Sequence, residues 1–118
     1  RTRPNMPAFG MVLDMIGHKN LRFMIPSDTP PALKDALFAA ARAEKAEKHF
    51  HMAPGPVLDD HVPLNLAGIP TVDMLGDFTI GGWWHTPADS LDIISADSLD
   101  TSIRVALRFL RDRLNAAK

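Results

Sequence analysis

Two short tracts of the sequence hold residue types that could do chemistry together. Residues 83–86 read Trp-Trp-His-Thr, and residues 58–64 read Leu-Asp-Asp-His-Val-Pro-Leu. The first tract offers the imidazole of His85 as a metal ligand, and the second offers the carboxylates of Asp59 and Asp60 as proton carriers. An imidazole beside carboxylates is a donor set found in zinc hydrolases and acyltransferases. The two tracts therefore predict a zinc site, provided that the fold brings them together.

Each tract also has an ordinary structural interpretation. A loop histidine is more often solvated than bound to a metal, and adjacent aspartates often cap a turn. Asp59 and Asp60 nevertheless repel each other, and they need a cation or several hydrogen-bond donors to stay ionised in a partly buried place. His49 and His51 would share one face of a strand, but no carboxylate is spaced to complete a metal site there. We expect those two histidines to be an exposed pair.

Length and composition limit the kinds of protein that this chain can be. The 118 residues, 46% hydrophobic and 23% charged, indicate one globular domain over residues 1–118. The formal charge of -1 and the scattered Lys and Arg make nucleic acid an improbable partner. No apolar run approaches the roughly 20 residues that cross a bilayer. The chain has no cysteine, so a metal would have to bind His, Asp or Glu.

Apolar patterns predict alternating strands and helices. Residues 11–17, 21–25 and 69–75 are apolar runs typical of strands, and helical spacing predicts a helix over 33–43 and a final helix capped by Ser95. The stripe expected on the final helix is Leu99, Ile103, Ala106, Leu107, Leu110 and Leu114, widened by Val105 and Phe109. The width of this stripe predicts burial on more than one side. The alternation predicts an α/β fold, with a mostly parallel sheet flanked by helices.

Asp14 and the segment 76–84 are the places where this fold would carry a site. Asp14 interrupts the 11–17 run, and open parallel sheets bind ligands at strand ends, although the carboxylate could equally serve nearby backbone amides. Residues 76–84 hold three glycines and an aromatic pair, which is typical of a loop that approaches something closely or moves.

Four motifs follow one another along most of the chain. They are residues 14–17 (Asp-Met-Ile-Gly), 59–64 (Asp-Asp-His-Val-Pro-Leu), 68–70 (Gly-Ile-Pro) and 84–86 (Trp-His-Thr), the last followed by Asp89 and Asp92. Each motif alone is weak, but in this order they resemble the C-terminal half of the zinc-dependent aminopeptidase and glutaminyl cyclase family. The resemblance implies a zinc-exopeptidase-like fold of the phosphorylase/hydrolase-like type, with its N-terminal part missing from this sequence.

The resemblance implies roles for four residues. His85 corresponds to a zinc ligand. Asp14 corresponds to an aspartate that binds a second metal in the two-zinc aminopeptidases and only hydrogen-bonds in the one-zinc cyclases, so it is expected to be a metal ligand and a catalytic carboxylate. Asp59 resembles the aspartate of the cyclases' active-site hydrogen-bond network and is expected to assist proton transfer. Trp84 resembles a residue that lines the substrate pocket.

The same resemblance implies a peptide N-terminus as the substrate and one or two zinc ions in the intact domain. The reaction would be aminopeptidase hydrolysis or glutaminyl cyclisation, and the 59–64 motif with Trp84 leans toward the cyclase branch. The family takes its other ligands, including a glutamate pair with the general base, from sequence before the strand that carries Asp14. This chain has no Glu-Glu pair, and Glu44 and Glu47 fall on the polar face of a helix. We therefore expect the 118 residues alone to lack the full catalytic set.

A second hypothesis is a non-catalytic α/β module that self-associates or docks on a partner. Half of a sheet would expose an unpaired strand edge and apolar surface, which favours a homo-oligomer through either of them. The start at Arg1, with neither an initiator Met nor a signal-peptide core, predicts a chain trimmed or processed at its front. Relatives are often exported, so export is the location that the resemblance implies, while the residues themselves leave the compartment open.

Overall fold

The computed structural model describes residues 5–116, which alternate between strands and helices. The strands are β1 (Gly10–Asp14), β2 (Phe23–Ile25), β3 (Phe50–Met52) and β4 (Thr71–Leu75), and the helices are α1 (Pro31–Ala43), α2 (His61–Leu66) and α3 (Ala96–Ala116). Single 3-10 turns lie at Glu47–His49 and Leu91–Ile93. The α/β class that the sequence predicts is confirmed. No helix in this part of the chain is both long and apolar enough to cross a membrane.

The strands form two parallel pairs, as the sequence predicts. β1 pairs with β4, with Asp14 opposite Leu75, and β2 pairs with β3, with Phe23 opposite Phe50. A bridge between Phe23 and Gly76 connects the two pairs. Because parallel strands end at the same edge of a sheet, Asp14 and the loop that follows Leu75 lie side by side.

The ends of β1 and β4 are held together by a close backbone contact. Gly76 donates its N–H to the carbonyl of Asp14 at 2.8 Å. Met15 has a left-handed backbone, with φ of 56°, which ends the strand earlier than the apolar run predicts. A Cβ atom added to Gly76 would lie 2.0 Å from the carbonyl oxygen of Met15. Glycine is therefore required at position 76, and this contact fixes the backbone from which the Asp14 side chain projects.

The main core lies between the strands and the helices α1 and α3. Its fully buried members include Phe23, Ile25, Leu37, Val72, Met74, Val105 and Phe109. Burying one such side chain stabilises the fold by about 1.5–3 kcal/mol. A second, smaller cluster of Met24, Ala53 and Leu75 lies on the other side of the strands. The first cluster stabilises the fold, whereas the second contributes to a cavity.

α3 buries a narrower face than its apolar pattern predicts. The buried residues are Ser98, Ser102, Val105, Ala106 and Phe109, whereas an apolar stripe of Leu99, Ile103, Leu107 and Leu114 is 38–58% exposed. The prediction of burial on more than one side was therefore wrong within residues 5–116.

Two hydrogen bonds involve the serines at the start of α3. Ser98 N–H donates to Ser95 Oγ at 3.1 Å, which confirms the predicted cap. The hydroxyl of Ser102 donates to the carbonyl of Ile16 at 2.7 Å. A serine that has a hydrogen-bond partner can be buried at a small cost in free energy. The pattern of polar and apolar residues alone therefore did not show which face of α3 is buried.

Candidate active site

A cavity of about 630 Å³ opens beside the carboxyl ends of β1 and β4. Asp14, Asp59 and Trp84 line it, so three of the four predicted site residues share this cavity. Most of the remaining lining is apolar and includes Met15, Met24, Ala53, Val57, Leu58, Leu75 and Phe78. A concave apolar surface with a few convergent polar groups is typical of a small-ligand site.

Asp14 and Asp59 are linked to each other, and their pKa values move in opposite directions. Burial raises the pKa of Asp14, and the charge of Asp59 and a hydrogen bond with Asp59 raise it further. Burial alone would also raise the pKa of Asp59, but hydrogen bonds from Asp73, from the Asp60 backbone and from Asp14 outweigh it, and the pKa of Asp59 is lowered. Asp59 therefore gives up its proton more readily than Asp14 does.

Asp73 completes this group, although the sequence pattern did not indicate it as a site residue. It lies in the middle of β4 with no exposed surface. Burial raises the pKa of Asp73 to about 9, and the hydrogen bond with Asp59 and the charge of Asp59 act in the same direction. With this pKa, Asp73 keeps its proton at neutral pH, close to the Asp59 carboxylate. The available signal was a lone carboxylate inside the apolar run 69–75.

His61 lies behind Asp73 and is almost completely buried. Its Nδ1 is 3.0 Å from Oδ2 of Asp73, in a geometry that falls short of a hydrogen bond, and its Nε2 is 3.9 Å from Oδ1 of Asp28. Ligand atoms of Asp59, His61 and Asp73 all lie within 4.8 Å of one another, a spacing that could suit a metal. A cation would have to displace the proton of Asp73 and reach a side chain without exposed surface.

The pKa of Asp73 predicts a pH dependence of stability. Because folding raises it from 3.8 to about 9, the folded protein keeps a proton that the unfolded chain releases, so stability falls as the pH rises between these values. Asp73→Asn removes this titration, while its amide can still donate to Asp59. We expect the free energy of unfolding of the variant to change less with pH between about 5 and 9, measured by urea unfolding. The exposed substitution Asp100→Asn should keep the wild-type slope, and an unchanged slope in Asp73→Asn would contradict the assignment.

His85 follows Trp84 on the exposed loop and has a left-handed backbone, with φ of 57°. Its ring stacks on the Trp84 indole with centroids 3.8 Å apart, and Trp84 in turn packs on Phe78 at 4.5 Å. The hydroxyl of Thr86 donates to the carbonyl of Trp83 at 2.6 Å, which braces the loop. His85 does not belong to the cavity lining or to the carboxylate group around Asp73. Its assignment as a zinc ligand stays a prediction.

His49 and His51 do not face a common ligand position. β3 begins at Phe50, after the 3-10 turn that contains His49, so the two histidines are not on one strand. His49 Nδ1 lies 2.9 Å from the carbonyl oxygen of Leu21, whereas His51 Nε2 lies 3.2 Å from Oδ2 of Asp77. The expected exposed pair was wrong, because both side chains are partly buried and have separate partners.

Two side chains in this region are of types that suit zinc. Asp14, in the cavity lining, offers a carboxylate, and His85, next in sequence to the lining residue Trp84, offers an imidazole; both are common zinc ligands. The raised pKa of Asp14 reflects, after burial, the negative charge of Asp59, and a cation beside these carboxylates would relieve it. A catalytic zinc site uses about three protein ligands, so these two residues would supply part of the set.

The fold is similar to solved structures of zinc-dependent and cyclising enzymes. Glutaminyl cyclase from Porphyromonas gingivalis superposes with a TM-score of 0.81 at 28% identity, over 96% of this chain and 43% of that chain. A leucine aminopeptidase precursor from Bacteroides thetaiotaomicron gives 0.80 at 25% identity, over 92% and 39%. A Zn-dependent exopeptidase from Parabacteroides distasonis gives 0.77 at 26% identity, over 89% and 40%. The chain thus spans about two-fifths of the length of these structures.

Sequence comparison agrees with the structural similarity. No curated protein is similar enough in sequence to count as a match. The family model of Peptidase family M28, however, matches residues 6–110, from before β1 into α3. That match includes Asp14, Asp59, Asp73, Trp84 and His85. With nearly all of its length matched and its fold shared with zinc-dependent exopeptidases, this chain belongs to Peptidase family M28.

Proposed function

We propose that this chain forms the C-terminal part of a zinc-dependent active site that acts on peptide N-termini. The observation that carries the proposal is the pair of neighbouring carboxylates Asp14 and Asp59 in the lining of a mostly apolar cavity. A cavity with one charged wall and an apolar interior can receive a side chain while polar groups contact the terminal amine. The remaining metal ligands would come from a part of the domain outside these residues.

Zinc would be held by His85 and Asp14, or by His85 with Asp14 in a supporting role. When bound, zinc polarises the carbonyl under attack and stabilises the charge that develops on it. Hydrogen bonding between Asp14 and Asp59 favours the second arrangement, in which Asp14 does not bind zinc directly. The resemblance implies this arrangement for one-zinc cyclases.

The first candidate reaction is cyclisation of an N-terminal glutamine. The α-amine of the substrate attacks its own side-chain carbonyl carbon, a new C–N bond forms, and the bond to the amide nitrogen breaks. Asp59, kept ionised by its hydrogen bonds with Asp73 and Asp14, can accept the proton that the α-amine loses. Returning that proton to the departing nitrogen releases ammonia. Asp73 would help to keep Asp59 ionised for this transfer.

The second candidate reaction is aminopeptidase hydrolysis, and the apolar lining of the cavity favours it. Met24, Leu75 and Phe78 offer no hydrogen-bonding side-chain group to a glutamine amide, but they would contact an aliphatic or aromatic side chain. In this reaction water attacks the first peptide bond. The base that takes the proton of the water would lie outside these residues, and Asp59 would assist the transfer of that proton to the leaving amine.

A peptide panel on the full-length protein separates these reactions. Peptides that begin with glutamine are followed for ammonia release, and matched peptides that begin with leucine or phenylalanine are followed for release of the free amino acid. We expect turnover of one class, loss of turnover when a chelator removes the metal, and recovery when zinc is returned. Zinc-loaded protein that turns over neither class would contradict the proposal and support the non-catalytic module, whose self-association light scattering would then test.

A further inference from the structure

We infer that His51 and Asp77 form a clamp that positions the part of the cavity wall made by Phe78 and Trp84. Neither residue of the clamp lines the cavity, so the pair would act through other side chains. The inference rests on the proposed function, because it assumes that this wall contacts the substrate.

Asp77 is a buried carboxylate that connects three segments of the chain. Its side chain is 6% exposed, and Oδ2 lies 3.2 Å from Nε2 of His51 in β3. Oδ1 accepts hydrogen bonds from the backbone N–H of Thr79, at 3.0 Å, and from the Thr79 hydroxyl. The backbone N–H of Asp77 donates to the carbonyl of Arg22 at 2.8 Å, just before β2. Each oxygen of the carboxylate thus has its own partner, and the turn 77–79 is connected to β3 and to Arg22, the residue before β2.

Phe78 lies inside the turn that Asp77 holds. Its ring packs on Trp84 with centroids 4.5 Å apart, and both rings line the cavity together with Asp14 and Asp59. Asparagine at position 77 would keep one acceptor oxygen where the carboxylate has two, so either His51 or Thr79 would lose its partner at this buried side chain. The turn would then adopt other arrangements, and Phe78 would no longer support the Trp84 indole in one position.

Kinetics on the full-length protein test the clamp. For Asp77→Asn and His51→Leu we expect KM for the turned-over peptide class to rise about tenfold, with kcat changed by less than about threefold, because the wall contacts the substrate equally in the ground and transition states. His51→Gln retains an N–H donor near the position of Nε2 and should restore most of the wild-type KM. Asp112→Asn removes an exposed carboxylate from α3 and serves as the matched control.

Tryptophan fluorescence tests whether the clamp positions Trp84, and it does not require peptide turnover. In a Trp83→Phe background of the 118-residue protein, Trp84 is the remaining tryptophan. We expect acrylamide to quench its emission more strongly in Asp77→Asn and His51→Leu than in the parent or in His51→Gln. Unchanged quenching and unchanged KM in folded Asp77→Asn would overturn the clamp while leaving the proposed function intact. A wild-type protein without peptide turnover would instead defeat the proposed function, and the quenching result would still decide whether the clamp holds Trp84.

Discussion

His85→Asn in the full-length protein is expected to abolish stoichiometric zinc binding and to lower kcat/KM by roughly 100-fold or more. Losing only an outer partner of a metal ligand costs about 10–100-fold in affinity or activity, so losing the ligand itself should cost at least as much. Asparagine is the better replacement, because it tolerates the left-handed backbone that His85 adopts. Alanine would add backbone strain to the loss of the ligand.

Zinc content by elemental analysis and peptide turnover give the two measurements for this variant. His18→Asn is the matched control, since His18 stacks on Trp83 with centroids 5.6 Å apart and is outside the lining of the cavity. The control should keep wild-type zinc content and turnover. Full zinc content and full activity in His85→Asn would remove His85 from the ligand set and leave Asp14 as the predicted ligand in this chain.

Gly76→Ala is expected to lower the free energy of unfolding by about 1–3 kcal/mol or more, because the new methyl group has no room. Its Cβ would lie 2.0 Å from the carbonyl oxygen of Met15. This neighbour is backbone, so relief requires movement of the strand ends and not of a flexible side chain. The movement would also shift Asp14, whose carbonyl accepts the N–H of Gly76. Activity should therefore fall together with stability.

Urea unfolding of Gly76→Ala measures the effect directly. Gly55→Ala is the control, because a Cβ there meets no atom within 4 Å, and its stability should stay within about 0.5 kcal/mol of wild type. If Gly76→Ala unfolds at the wild-type urea concentration, the close approach of β1 and β4 at this point is not as tight as the structure has it.

The parts of the fold that depend on local pattern could be predicted from the sequence. The apolar runs around Asp14 and Leu75 indicated parallel strands, because a strand covered on both faces is apolar throughout. The cap at Ser95 was also predictable, since its hydroxyl bonds to an amide only three residues away. Asp14, Asp59 and Trp84 share one cavity because parallel strands end at a common edge.

The rest depends on contacts between residues far apart in the sequence. Asp73 is the only charged residue type in an apolar strand, and its raised pKa follows from complete burial and from the nearby Asp59, neither of which the sequence shows. The sequence predicted that His51 is an exposed residue at a sheet edge. In the structure it lies beside Asp77, which belongs to the loop after β4. The buried face of α3 could not be predicted either. Ser102 lies on that face because its hydroxyl donates a hydrogen bond to the carbonyl of Ile16, which is distant in the sequence.

When purified by itself, the 118-residue chain would present the apolar stripe of α3 to the surfaces and molecules that it meets in solution. No residue between 5 and 116 covers Leu99, Ile103, Leu107 or Leu114 completely, since each remains at least 38% exposed. Contiguous apolar surface of this kind promotes precipitation at high concentration and adsorption to chromatography resins. Leu107 and Leu114 lie outside the cavity lining, so exchanging them for lysine would improve handling without altering the chemistry of the site.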